Sequence, residues 1–251
     1  MTPDPSALLV EIDQLKSQLE ALRPLPEHTV RTLHEQQILE WTYHSNAIEG
    51  NTLTLKETKV VLEGITIGGK SIREHFEAIN HREAIDYVET LVSGKETLSE
   101  WHIKNMHQLV LKNIDDRNAG RYRQENVVIA GASHTPTDFL HLPQAMSELM
   151  AWYQNANELH PLTRAARLHV DFVGIHPFVD GNGRTARLLM NCELLRCGYL
   201  PVIIRVEQRL AYYDTLDTAH TTHNYAPFVQ LVAEQESEAL HHYLSVVRGS
   251  L

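Results

Sequence analysis

Apolar residues recur at helical spacing along most of this chain, and that periodicity constrains the fold more than any other feature. Leu8, Ile12, Leu15, Leu19 and Leu22 alternate at four and three residues, which is one stripe on an α-helix. Pro24 and Pro26 close it. Val30, Leu33, Gln37, Trp41 and His44 share one side of a second helix from about Pro26 to Ile48, with Gly50 as its C′ glycine. Thr54 and Glu57 form a capping box, and Thr97-Leu98-Ser99-Glu100 repeats that signature before a helix at Trp101–Asn113. Between them Ile72, Phe76, Ile79, Ile85, Val88 and Leu91 mark another long helix. Pro143 opens a helix through Tyr153, and Thr163–Ile175, Asn182–Cys197 and Phe228–Val246 read as further helices.

One segment breaks the pattern. Val127-Val128-Ile129-Ala130 has strand character, Gly131-Ala132-Ser133 reads as a turn, and His134-Thr135-Pro136 returns, which predicts a small β-hairpin. Val202-Ile203-Ile204 fits either a short strand or a buried loop. The expected fold class is mostly α with one hairpin.

Composition narrows the function classes. The 251 residues are 43% apolar and 22% charged, enough for a core without staples and too apolar for disorder. A net charge of −10 argues against a general nucleic-acid binder. Cys192 and Cys197 point about 140° apart around one helix, so they cannot bond to each other there, and no CxxC metal motif exists. The first 25 residues carry Asp4, Glu11, Asp13 and Glu20 and no apolar h-region. No apolar run approaches the roughly 20 residues of a membrane span. The expectation is a reduced, cytoplasmic protein with no membrane partner. The Leu8–Leu22 stripe is expected to pack within the chain, with a homodimer seam as the other option.

The chemistry concentrates in His176-Pro177-Phe178-Val179-Asp180-Gly181-Asn182-Gly183-Arg184-Thr185-Ala186-Arg187. A helix ends near Ile175, and Pro177 takes His176 out of helical geometry. Gly181 and Gly183 allow a tight turn. A new helix starts at about Asn182, so its unpaired N–H groups make an anion site. Arg184 and Arg187 share a face of that helix and can each fork onto phosphate oxygens. Asp180 suits Mg2+, which takes one or two protein carboxylates and completes its shell with phosphate and water. His176 is the titratable base of the loop, with an unperturbed pKa of about 6.5. Each feature alone is commonplace. Together in one loop they suit transfer of a phosphate-containing group to a hydroxyl.

The stretch resembles the Fic family signature, His-x-Phe-x-Asp/Glu-Gly-Asn-Gly-Arg-x-x-Arg, at every fixed position, and the resemblance reaches over roughly Trp41–Ala233. It implies a helical Fic fold. It also implies, as in most characterised members, transfer of AMP from ATP to a Ser, Thr or Tyr hydroxyl of a target protein. A minority of the family transfers other phosphate-linked groups. The resemblance makes His176 the general base and Asp180 the Mg2+ ligand. It makes Gly181, Asn182, Gly183, Arg184, Thr185, Ala186 and Arg187 the nucleotide cradle, with Arg187 on the γ-phosphate. Val128, Ile129, Ala130 and Gly131 fall on the family's flap, a hairpin that covers the nucleotide and pairs with the target backbone. Tyr212 resembles a position near the adenosine. His220 stands where relatives often carry Asn, and is carried as a nucleotide contact. ATP is the implied co-substrate, and the target is a protein the sequence does not name, the chain itself included.

Ser45-Asn46-Ala47-Ile48-Glu49-Gly50-Asn51 matches the family's inhibitory motif, Ser/Thr-x-x-x-Glu-Gly/Asn, in the place of an N-terminal inhibitory helix. Glu49 falls at a helix C-terminus, where the macrodipole disfavours a carboxylate. A half-buried Glu there needs a cation, and the resemblance supplies Arg187. Such a pair takes the arginine from the γ-phosphate, and a misplacement of about 1 Å costs roughly 100-fold in rate. The expected organisation is an N-terminal helical segment with the inhibitory helix at 1–53 and the Fic catalytic core at 54–251. The alternative activity is the reverse one, with Glu49 holding a water for removal of AMP from a protein. A nucleotide-binding regulator fits less well because His176 is intact. A metal-dependent phosphohydrolase lacks the extra His and Asp ligands.

Overall fold

The computed structural model describes residues 4–249. Helices α1 (Ser6–Ala21) and α2 (Glu27–Ile48) come first, then a short α3 (Leu55–Leu62) and a long α4 (Ile72–Ser93). Helices α5 (Glu100–Leu111) and α6 (Leu142–Asn155) flank a long connection. The chain ends with α7 (Pro161–Ile175), α8 (Asn182–Arg196), α9 (Arg209–Thr222) and α10 (Ala226–Gly249). The apolar stripes do not predict α9. It buries Tyr212, Leu216 and Ala219 at helical spacing, but Thr, Asp and His fill the gaps and weaken the signal.

Side chains set the helix starts. Thr54 Oγ1 accepts from the Glu57 N–H at 3.2 Å, and Glu57 accepts from the Thr54 N–H at 2.8 Å. Ser71 and Glu74 form a second box on α4. At α5 the box differs from the expected one. Ser99 is the N-cap, so Glu100 is too early to reach back, and His102 accepts from the Ser99 N–H at 3.2 Å instead.

Helix α8 is the centre of the molecule. Every residue from Arg184 to Leu194 is buried. Helices α7, α4 and α5 wrap it, and the end of α2 reaches it. Met190 and Leu194 face one core with Ile12 of α1, Leu162 of α7 and Phe228 of α10. Leu188, Leu189 and Cys192 face a second core with Val88 of α4, Ile103 of α5 and Met146 of α6. Each such burial contributes about 1.5–3 kcal/mol relative to exposure. Two cores therefore clamp α8, and the polar residues of its first turns are held from both sides. The stripe on α1 is consumed within the chain: Ile12, Leu15 and Leu19 are buried where α1 packs on α10.

The expected β-hairpin is a correction: the described residues contain no β-strand. Gly131 does turn, at φ +83°, and the Ala132 N–H reaches the Ile129 carbonyl at 3.3 Å. Side chains rather than a ladder tie the loop down. The Ser133 N–H donates to Asp217 at 2.8 Å, and His134 Nε2 bonds the Gly174 carbonyl at 2.8 Å. The Val128 side chain is 93% exposed and has nothing to pack on. An isolated two-stranded ribbon without a packed face is marginal, so strand propensity at Val127–Ile129 does not prevail. Val202–Ile204 is a buried loop, with Asn191 bonding both the N–H and the carbonyl of Val202. Cys192 and Cys197 are both free. Among the described residues no helix is long and apolar enough to cross a membrane.

The core includes a buried carboxyl. The Glu236 carboxyl on α10 is fully buried, accepts from the Leu200 N–H at 2.9 Å through Oε1, and has no partner for Oε2. Burial pushes its pKa up to about 8 from an ordinary 4.5. The folded state thus binds the proton more tightly than the unfolded chain. The resulting stability is complete below the unfolded pKa and is lost as pH rises through the folded one. A Glu236→Gln variant keeps the acceptor and removes the charge. We expect it to match the wild type at about pH 4, below the ordinary value, and to melt roughly 10 °C higher at about pH 8.5. Thermal denaturation at both pH values checks this; a gap that does not grow with pH would overturn it.

Candidate active site

The loop between α7 and α8 is built around a left-handed histidine. His176 ends α7 at φ +52° and ψ 59°, and its N–H bonds the Phe172 carbonyl at 3.0 Å. This conformation is uncommon for a residue with a Cβ, and the following Pro177 narrows the choice further. Buried Arg123 holds it in place: Arg123 Nε donates to the His176 carbonyl at 2.9 Å, and the Arg123 N–H bonds the Pro177 carbonyl at 3.0 Å. The same guanidinium reaches the carbonyls of Glu125 and Thr137, so one side chain joins the base of the 125–137 loop to His176. Burial pushes the His176 imidazole down to about 4, with Arg123 adding to the effect and Glu49 and Asp180 opposing it. At neutral pH the ring is an uncharged base.

The rest of the loop is braced from inside. The Asn182 side chain accepts from the Phe178 N–H at 3.0 Å and donates to the Phe178 carbonyl at 2.9 Å. That amide is therefore spent on the loop. Phe178 stacks on His107 with ring centroids 3.5 Å apart. His107 accepts from the Gly120 N–H at Nδ1, which leaves Nε2 to donate to the Asp180 carbonyl at 2.9 Å. Burial pushes His107 down to about 4, so this tautomer is the neutral one. Gly181 lies at φ +75° and supplies the turn. Gly183 does not. It is already helical, and a Cβ there would strike Glu49 Oε1. Its role is to let a carboxylate approach the first turn of α8.

Arg187 is fully buried and almost fully bonded. Nε donates to Ser45 Oγ at 3.0 Å, and Nη2 to the Ser45 carbonyl and to Glu49 Oε1, both at 2.8 Å. Nη1 donates to the Tyr212 hydroxyl at 3.2 Å. That hydroxyl in turn lies 3.1 Å from His169 Nε2. Burial, with Arg187 close by, keeps His169 well below its usual pKa, so the imidazole accepts. Glu49 is the C-cap of α2, followed by Gly50 at φ +98°. Asn46, one residue past Ser45, fixes this end of α2 by donating to the Glu77 carbonyl of α4 at 3.2 Å.

Asp180 is also engaged. Its Oδ1 accepts from the Gly181 N–H at 2.6 Å and faces Arg184 Nη2 at 3.3 Å; its Oδ2 accepts from Arg73 Nη2 at 2.6 Å. Burial alone would raise the carboxyl, but Arg184, the Gly181 N–H and Arg73 hold it below its ordinary value. Arg184 is buried; its Nε has no hydrogen-bond partner, and its Nη1 lies 3.5 Å from Glu77 Oε1. Donors of that kind beside a helix N-terminus suit an anion. Among the described residues no three His, Cys, Asp or Glu side chains cluster as a metal site. A lone carboxylate beside an anion cradle fits a cation that brings phosphate and water as its remaining ligands.

Other expected contacts lie further out. The Thr185 and Ala186 side chains are wholly buried, so that turn offers backbone only. Val128–Gly131 form the tip of the loop described above. His220 bonds the Val170 carbonyl at 2.9 Å and packs on His134 at 4.6 Å, which commits one nitrogen to α7. Arg123, His107, His169, Asn46, Arg73 and His81 carry no sequence signal; each acts through contacts made by distant helices. His81 is fully buried, with burial and the two motif arginines driving its pKa well down.

Comparison with known proteins agrees with this geometry. The family model described as Fic/DOC family matches residues 97–194. A Fic domain containing signaling protein from Bacteroides thetaiotaomicron superposes with a TM-score of 0.87 and 31% identity, over 95% of this chain and 97% of that one. Fic-1 of Caenorhabditis elegans gives a TM-score of 0.88 and 33% identity, over 97% of this chain and 73% of that chain. Protein adenylyltransferase Fic of Nematostella vectensis is 37% identical over 242 residues, which is 95% of this chain and 56% of that protein. The chain spans about half the length of the curated relatives it matches. With the signature loop, the helical scaffold and a relative matched end to end, this chain belongs to the Fic family.

Proposed function

We propose that this chain is a protein adenylyltransferase that moves AMP from ATP to a Ser, Thr or Tyr hydroxyl of a target protein, and that Glu49 holds it off. The curated relatives named protein adenylyltransferase support the activity. The observation that carries the proposal is the joint placement of a neutral His176 and an Arg187 bound to Glu49 at 2.8 Å. His176 and Asp180 lie on the loop that opens α8, and Glu49 reaches the first turn of that helix at Gly183.

The chemistry balances on these groups. The target hydroxyl oxygen bonds to the α-phosphorus, the bond to the bridging oxygen of the β-phosphate breaks, and pyrophosphate leaves. His176 takes the hydroxyl proton. The first N–H groups of α8 and the Arg184 guanidinium receive phosphate oxygens. Asp180 would hold Mg2+, which when bound would neutralise phosphate charge. The 127–130 loop, which joins no strand ladder among the described residues, would offer its backbone to a strand of the target. Four of Arg187's five N–H donors are taken by Ser45, Glu49 and Tyr212. No fork is left for a γ-phosphate until Glu49 moves.

One observation favours a second reading. Arg187 engages only Oε1 of Glu49. Oε2 is then available to hold a water against an AMP–protein bond, which is deAMPylation. Release of AMP from a premodified target, lost on Glu49→Gly, identifies that direction.

Two outcomes test the proposal. Glu49→Gly is expected to raise self- or target-labelling from α-labelled ATP by about 10- to 100-fold, and His176→Ala in that background to abolish it. Equal labelling by wild type and Glu49→Gly would remove the brake. For Glu49→Gly, kcat/KM is expected to hold from about pH 7 to about pH 5 and to fall near the His176 value of about 4. An acid limb at about 6.5, the ordinary histidine value, would show that His176 is not the buried neutral base described here.

A further inference from the structure

Arg73 stands in the first turn of α4, 107 residues away from Asp180 in sequence and in direct contact with it. Its Nη2 meets Asp180 Oδ2 at 2.6 Å while its Nε donates to Glu77 Oε1 at 3.1 Å. The other Asp180 oxygen is held by the Gly181 N–H and Arg184. Oδ1 thus carries two donors and Oδ2 one, so a cation approaching Oδ2 meets the Arg73 guanidinium, whose charge opposes it while Arg73 stays. Gly181 is the adjoining residue, and Arg184 is buried, so neither is free to move off. Arg73 is. Its side chain is 56% exposed, and on leaving Asp180 it still has Glu77.

We propose that Arg73 occupies the cation position on Asp180 and gives it up when a divalent ion arrives with the triphosphate, so that it sets the ion concentration at which the site loads. The proposal rests on Asp180 being the metal carboxylate. It is separate from the Glu49 contact: Glu49 keeps an arginine from the phosphates, whereas Arg73 keeps an acid from the cation. The two are nonetheless joined. Glu77, which Arg73 bonds and Arg184 faces at 3.5 Å, also accepts from Asn51 at 2.9 Å, two residues beyond Glu49.

Mn2+ binding to the full chain with a non-hydrolysable ATP analogue, followed by electron paramagnetic resonance, tests this without turnover. Arg73→Gln is expected to bind Mn2+ about three- to tenfold more tightly than wild type. Arg82→Gln removes another α4 arginine, paired with Asp86, and is expected to leave affinity unchanged. Equal tightening in both variants would mean a general charge effect and overturn the proposal. Asp180→Asn separates the two levels of inference. If it loses the ion while Arg73→Gln matches wild type, the Arg73 proposal falls and the metal carboxylate stands. If it binds Mn2+ as wild type does, the metal carboxylate itself is wrong.

Discussion

A guanidinium with no access to water must have its charge and its N–H groups answered by the protein, and Arg187 sets that demand at the centre of this fold. It stands on a helix buried on every side, so its neighbours are dictated by how the other helices pack. The end of α2 answers with a hydroxyl, a terminal carbonyl and a carboxylate, and α9 adds a phenol. Removing one partner of such a buried pair typically costs about 3–5 kcal/mol. A triphosphate arriving with its own negative charge need not incur that cost, because one anion replaces another around the same cation. Under the proposed function, a brake made in this way would be firm in the resting protein and still reversible.

Four arginines stand at the site, Arg73, Arg123, Arg184 and Arg187; Asp180, Glu77 and Glu49 pair with three of them, and the buried rings nearby add no positive charge. His81, His107, His169 and His176 are all pushed below their ordinary range, chiefly by burial. Each neutral imidazole has one acceptor nitrogen. His169 uses it on Tyr212 and His107 on the Gly120 N–H. At those two positions histidine supplies a compact acceptor that burial keeps uncharged, whereas His81 has no hydrogen-bond partner on either ring nitrogen.

What the sequence revealed and what it concealed follow from how local each interaction is. The helical stripes, the α2 terminus at Glu49-Gly50 and the loop from His176 to Arg187 were legible because their determinants are contiguous. The Glu49–Arg187 pair was legible only through the family resemblance, since helix-end physics says that Glu49 needs a cation but not which one. Arg123, Arg73 and Asn46 were not legible, since nothing near them in sequence says which distant carbonyl or carboxylate they meet. The hairpin at Val127–Ile129 was misread for a related reason. Strand propensity reports how well a side chain suits a half-buried pleated surface, and Val128 faces no surface at all. Gly183 was assigned the right residue and the wrong cause: its missing Cβ makes room for a carboxylate rather than for a turn.

Arg123 shows why the exposed loop and the catalytic bend should be treated as one unit. A single buried guanidinium accounts for the carbonyls of His176, Glu125 and Thr137. Cutting these bonds leaves N–H groups of the buried Arg123 without partners, so a shift of the loop base disturbs the backbone that holds His176 in its left-handed conformation. The tip, by contrast, is tied only through Ser133 and His134 to α9 and α7. The loop is therefore fixed where it meets the imidazole and free where its backbone is open to pairing. That division follows from the placement of one arginine, and under the proposed function it would let the tip adapt to a target without moving His176.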